Sequence, residues 1–180
     1  MKSTIEVKGR YNDLLLGPSC EVLFSSGWQP NRIVHRCHIL LAAFMANIKK
    51  QTVVGIDHLV VGEGKEEWDD MEQTPKPEEN EKGLINPCKD PIYRSQLKIY
   101  YDSDIEEKLT RKIIIKTVLH AGYPKPENGE IYPLREFGLF GKIKVQGISG
   151  EEPYMINCVR HRVIPKHIST SLVRTIELIL

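Results

Sequence analysis

The chain has 180 residues, 41% of them hydrophobic and 27% charged, with a formal net charge of +1. That supports one core, or a core with a small satellite. No stretch nears the ~20 consecutive apolar residues of a membrane-spanning helix, the opening MKSTIEVKGR lacks the apolar centre of a secretory signal, and no basic stripe interleaved with aromatics marks a nucleic-acid binder. The expectation is a soluble chain made in a cytosol, with no membrane and no nucleic acid among its partners.

The four cysteines (Cys20, Cys37, Cys88, Cys158) show no CxxC spacing, which suits reduced, buried thiols better than a disulfide framework. Charge is unevenly placed. Glu63 to Asp90 holds ten acids against four lysines, so the rest of the chain carries the basic surplus.

Residues 1–30 mix the run Leu14, Leu15, Leu16 with the turn formers Gly17, Pro18, Ser25, Ser26 and Gly27, predicting an extended amino-terminal arm with one or two short strands. Residues 31–180 then read as a single α+β domain. Its first element is a helix of about Arg32 to Asn47, with Asn31 as N-cap and Ile33, Val34, Cys37, Leu40, Leu41, Phe44, Met45 and Ile48 forming one broad core-facing stripe. The β-branched run from Thr52 through Val53, Val54, Ile56, Leu59, Val60 and Val61 predicts a strand ending in the turn Gly62-Glu63-Gly64.

The acidic stretch Lys65 to Pro91, with four prolines and few large apolar residues, cannot offset its ordering entropy by burial and predicts a long exposed loop over about 64–91, anchored at most by Trp68. Beyond it, alternation predicts five strands or near-strands: at Leu97 to Tyr101, Ile113 to Leu119, Phe137 to Leu139, Tyr154 to Cys158 and Leu172 to Leu180. The gaps carry no helical pattern, which favours antiparallel pairing. The expected fold is α+β: one main amphipathic helix packed on an antiparallel β-sheet or sandwich, with a long acidic Pro-rich loop. The final strand runs to Leu180, so no carboxy-terminal tail is expected.

Few residues suggest chemistry. His35, Cys37 and His38 are of metal-ligand type, but the cysteine falls on the apolar side of the helix and no HExxH or CxxC adds a ligand. Ser149 in Gly147-Ile148-Ser149-Gly150 lacks nucleophile-elbow spacing and reads as a hairpin turn. The acid pairs Glu66-Glu67, Asp69-Asp70 and Glu78-Glu79 are solvated in the loop, and Gly62-x-Gly64 lacks the companions of a phosphate cradle. No catalytic residue, cofactor or metal is expected. The basic cluster Arg160, His161, Arg162 and Lys166 reads as a turn bent by Pro165 and as a surface for an acidic partner.

The most distinctive segment is Leu134-Arg135-Glu136-Phe137-Gly138-Leu139-Phe140-Gly141, a central strand by composition, with Arg135 and Glu136 on opposite faces and Gly138 marking a bulge or close backbone approach. It resembles the (I/L)-R-E-(I/F)-G-L-(F/Y) segment of tail-fibre and tail-collar attachment proteins of tailed bacteriophages. Leu40 to Phe44, Gly55 to Gly64, Trp68-Asp69, Met155 to His161, Ile164 to Lys166 and Leu172 to Leu178 follow the order of similar pieces in that family. The resemblance spans about residues 27 to 180 and implies a structural virion protein of a phage tail, assembled in the host bacterial cytoplasm. Its role would be that of a baseplate component or adaptor for tail fibres. It further implies that other tail or baseplate proteins, a tail fibre being one candidate, are its partners, that it is present in multiple copies, and that Trp68, Asp69 and the Arg160 cluster lie at a partner interface. Contractile phage-tail-like particles carry the same module. The chain holds no fibre shaft, which turns the expectation from a fibre to an adaptor. The alternatives are a small intracellular metal-binding enzyme using His35, Cys37, His38 or His161, and a nucleic-acid-binding head–tail adaptor.

Overall fold

A computed structural model describes residues 7–102, 109–148 and 152–180. In chain order its strands are β1 (Lys8–Leu16), β2 (Val22–Ser25), β3 (Gln29–Ile33), then helix α1 (His35–Ala46), β4 (Gln51–Gly62), β5 (Ile92–Tyr93), β6 (Lys98–Tyr101), β7 (Lys112–Leu119), β8 (Ile131–Val145), β9 (Glu152–His167) and β10 (Ser171–Ile179). Strand takes 52% of the described residues and helix, 3-10 turns included, 12%, and every strand pairing among them is antiparallel. The expected helix-on-sheet fold with a long free loop is therefore corrected to a mostly antiparallel β structure with one short helix. The chain divides into two compact units.

The first unit comprises the segments up to Asn31, Ser95–Tyr132 and Pro165–Leu180. Residues 8–16 are no arm. Alternation buries Tyr11, Asp13 and Leu15, and β1 runs the whole length of β10, Leu15 facing Leu172, Asp13 facing Arg174 and Tyr11 facing Ile176. On its far side β10 sets the same residues beside Leu119, Thr117 and Ile115 of β7. Opposite residues of an antiparallel pair point to one face, so the core is built in rungs: apolar, ionic, apolar. In the ionic rung Arg174 Nε and Nη2 donate to the two Asp13 carboxylate oxygens at 2.7 and 2.6 Å, with both side chains fully buried.

The second unit comprises Arg32–Arg94 and Pro133–Ile164, its strands ordered β5-β4-β8-β9-β3. Helix α1 begins three residues later than expected, with Val34 as an N-cap that makes no side-chain cap bond, because Asn31 is taken up in β3. Only Cys37 and Leu40 of α1 are buried; Ile39, Phe44, Met45 and Ile48 are exposed. The helix rests on a narrow stripe at a place where side chains are missing. A Cβ on Gly141 would lie 2.0 Å from the Gly55 carbonyl oxygen and 2.8 Å from Leu40 Cδ1. Periodicity marked which residues a helix could bury, and the small footprint decided which it does.

The acidic segment is the second correction. It contains a 3-10 turn, Glu66–Asp69, that buries Trp68 to 2% exposure. It returns to the end of β4 through Glu63 N–H to Asn86 O (2.9 Å) and Cys88 N–H to Val61 O (2.8 Å). Many of its side chains remain exposed, but its backbone is held. Solvent exposure alone did not leave it free, since partners also come from strands remote in sequence, Arg135 lying 66 positions from Asp69 and Arg162 91 from Met71. The expected turn at Ser149 lies outside the described residues.

Candidate functional site

Leu134 to Phe140 form the middle of β8, buried continuously from Leu134 through Gly141. A strand with neighbours on both edges and cover on both faces buries both sets of alternating side chains, so its two charged residues need partners. The acidic segment supplies them. Arg135 Nε and Nη2 donate to Asp69 Oδ2 at 3.0 and 2.7 Å, and its Nη1 donates to Glu63 O at 3.2 Å. Asp69 Oδ1 also accepts the Val163 N–H at 2.8 Å, tying β9 to the same carboxylate. The hydrogen bond from Arg135 holds the Asp69 carboxyl below its ordinary range. Glu136 is fully buried and accepts the Asn86 N–H at 2.7 Å and the Ile85 N–H at 3.1 Å. Burial pushes its carboxyl up, against the opposing pull of those N–H groups.

Gly62 and Gly64 make this closure possible. A Cβ at Gly62 would sit 2.5 Å from Asn86 O, and one at Gly64, whose φ is +56°, would sit 2.4 Å from the Trp68 ring. The pair that lacks the companions of a phosphate cradle seats the tryptophan and the returning strap. At Gly138 the expected close approach is present: a Cβ there would lie 2.9 Å from Asn157 O. Asn157, fully buried on β9, accepts the Leu139 N–H at 2.8 Å.

The basic cluster is not a turn. Arg160 to Lys166 run inside β9, with Pro165 exposed along it, and the chain turns at 168–170. Arg160 pairs with Glu81 and lies 5.5 Å over the Trp68 ring. His161 places Nδ1 2.7 Å from the Arg162 carbonyl oxygen. Arg162 donates to the carbonyl oxygens of Met71 (2.7 Å) and Glu72 (3.2 Å), and on β3 Arg32 reaches Glu79 at 2.5 Å. The acids that meet these arginines are the chain's own. In the first unit, Lys166 is 2% exposed, its ammonium donating to His120 O and Thr170 O at 3.0 and 2.9 Å. Of the residues expected at a partner surface, Arg162 is the exposed one; Trp68 and Lys166 are buried, and Asp69, Arg160 and His161 are partly so.

Chemistry elsewhere is muted. His35 and His38 are exposed with ring centroids 6.3 Å apart, and Cys37 is buried beneath them with its thiol pushed up by burial to about 11. Burial likewise pushes Cys158 to about 12, whereas Cys20 is exposed, contrary to expectation. Among the described residues no group of three or more His, Cys, Asp or Glu is placed to hold a metal ion, and no helix is long and apolar enough to cross a membrane. Missed in the sequence were Glu81 and the role of Asn157, which no local pattern marks; Glu79, read as a solvated acid, is exposed and pairs with Arg32. Asp13 and Arg174 did carry a signal, as charges on the inward phase of Tyr11-x-Asp13-x-Leu15 and Leu172-x-Arg174-x-Ile176. Comparison with protein-family models, with curated proteins and with solved structures finds no match for this chain.

Proposed function

We propose that the chain is a structural subunit of a phage tail or a phage-derived contractile particle, a baseplate component or an adaptor for tail fibres that acts by binding neighbouring tail proteins in multiple copies. The observation that supports this reading is the mutual dependence of the residues on which the resemblance rests. Arg135 holds Asp69, Glu136 holds Ile85 and Asn86, and Gly62 and Gly64 leave room for Asn86 and Trp68. Gly62, Gly64, Trp68, Asp69, Arg135 and Glu136, which the resemblance picks out in separate pieces, thus act together as one clasp, with Ile85 and Asn86 joining it from outside those pieces. The clasp uses its charged groups for internal closure, which suits a rigid building block.

The test is fractionation. Particles purified from the source bacterium by density gradient, after induction of any resident prophage, are expected to contain this chain in fixed stoichiometry to the tail proteins by quantitative mass spectrometry. Electron microscopy with an antibody to the chain is expected to label the tail end distal to the head. A chain found wholly outside particles removes the proposal.

A further inference from the structure

Strand β6 ends the sheet order of its unit, pairing with β7 on one edge and with no described strand on the other. We propose that this open edge is an interface with a second copy of this chain, two β6 strands pairing antiparallel about a two-fold axis through Tyr100. This goes beyond the tail-subunit reading and does not depend on it.

The register follows from backbone parity and charge. The Asp102 N–H donates to Lys112 O on β7 at 3.1 Å. Alternation then turns the backbone groups of Lys98, Tyr100 and Asp102 toward β7 and those of Ile99 and Tyr101 toward the open edge. A two-fold partner must meet outward groups with outward groups. With Tyr100 opposite its own copy, Ile99 faces Tyr101 of the second chain, and each such pair exchanges two backbone hydrogen bonds. That register alone also sets Lys98 opposite Asp102. Shifting by one residue points bonded groups at each other's blank positions, and the next permitted register toward the amino end sets Lys98 against Tyr100.

The side chains agree with this choice. Lys98-Ile99-Tyr100-Tyr101-Asp102 reads as base, three apolar, acid, so it is complementary to itself reversed. On one face the pairs are Lys98 with Asp102 at both ends and Tyr100 with Tyr100 between them; on the other they are Ile99 with Tyr101, twice. Opposite-charge, aromatic–aromatic and aromatic–β-branched pairs are those that favour strand association. Within its own chain Lys98 stands opposite Lys116 on β7, a like-charge neighbour that the incoming carboxylate offsets. Asp102 takes Lys112 on Oδ2 at 2.8 Å and remains half exposed, and a carboxylate accepts more than one ammonium donor. Tyr100 and Tyr101 are 47% and 44% exposed, large apolar area on both faces of an edge that native sheets otherwise blunt. Five residues make a small interface, so pairing is weak in dilute solution and is strengthened wherever many copies are held close together.

The experiment is analytical ultracentrifugation of the purified chain from about 5 to 300 µM, bracketing micromolar affinity. The wild type is expected to form a concentration-dependent dimer. Tyr101→Pro removes an outward N–H without touching a β7 hydrogen bond, and is expected to be monomeric with an unchanged melting temperature. Lys98→Glu and Asp102→Lys are each expected to weaken dimerisation at least about tenfold, and an equimolar mixture of the two to recover it, because each chain then meets opposite charge at both ends. A wild type that stays monomeric throughout, a dimer indifferent to Tyr101→Pro, or a mixture no tighter than its components overturns the proposal.

Discussion

Lys166 illustrates how burial turns a charged side chain into a property of the fold. Its ammonium meets two carbonyl oxygens and, among the described residues, no carboxylate, and burial lowers its pKa from 10.5 to about 8. Between those values the unfolded chain holds the proton that the folded chain has released, so stability rises with pH across that window, by up to about 1.4 kcal/mol per unit. Below about pH 8 the charge is buried and that gain is absent. Lys166→Met removes the titration, so the stability difference, wild type minus variant, is expected to climb between pH 8 and pH 10.5 in urea melts; parallel profiles would refute the assignment. Nothing local marks Lys166 as buried, since Pro165 beside it suggested a bend. The alternation of their strands sets Asp13 and Arg174 on the inward phase, but nothing local makes them partners, because 161 positions separate them.

Among elements, the strands were the readable part. The run from Thr52, the alternation at Ile113 to Leu119 and that at Leu172 to Leu178 lie in β4, β7 and β10, since β-branched residues at period two suit a pleated, half-buried surface wherever it is placed. The acidic segment was misread for an equally physical reason. Low local hydrophobicity predicts disorder only when no distant group compensates, and here Arg135, Arg160 and Arg162 do. Replacing residues 65–91 by a short linker would uncover Arg135 and Glu136 and remove Trp68 from its seat. We expect that variant to lose cooperative thermal unfolding in its near-ultraviolet circular dichroism. A sharp transition at the wild-type temperature would mean that the strap only rests on the strands. Helix α1 shows the converse: apolar period 3.6 was present, but at Gly141 the helix sits close to backbone that carries no side chain, and only Cys37 and Leu40 are buried.

For the molecule as a whole, the pairing of β1 with β10 joins the first described strand to the last, Lys8 opposite Ile179 through Leu16 opposite Ser171. Because β10 also pairs with β7, it is the shared neighbour of two strands and carries Arg174 into the ionic rung. A chain ending at Thr170 would leave Asp13 buried without its cation and two strand edges unpaired, losses that each cost folding free energy. Its amides in β1 and β7 are expected to lose hydrogen-exchange protection altogether, whereas protection there in the shortened chain would show that β10 is dispensable. By itself the sequence determined the strand periods, the antiparallel preference and the buried phase of β7 and β10, because side-chain alternation and the short gaps between strands are local quantities. Only the tertiary structure decided that the acidic segment is a clasp, that the basic cluster lies within a strand and that the helix is peripheral. Those outcomes depend on which distant charges and glycines meet, and contact between residues remote along the chain has no local signature.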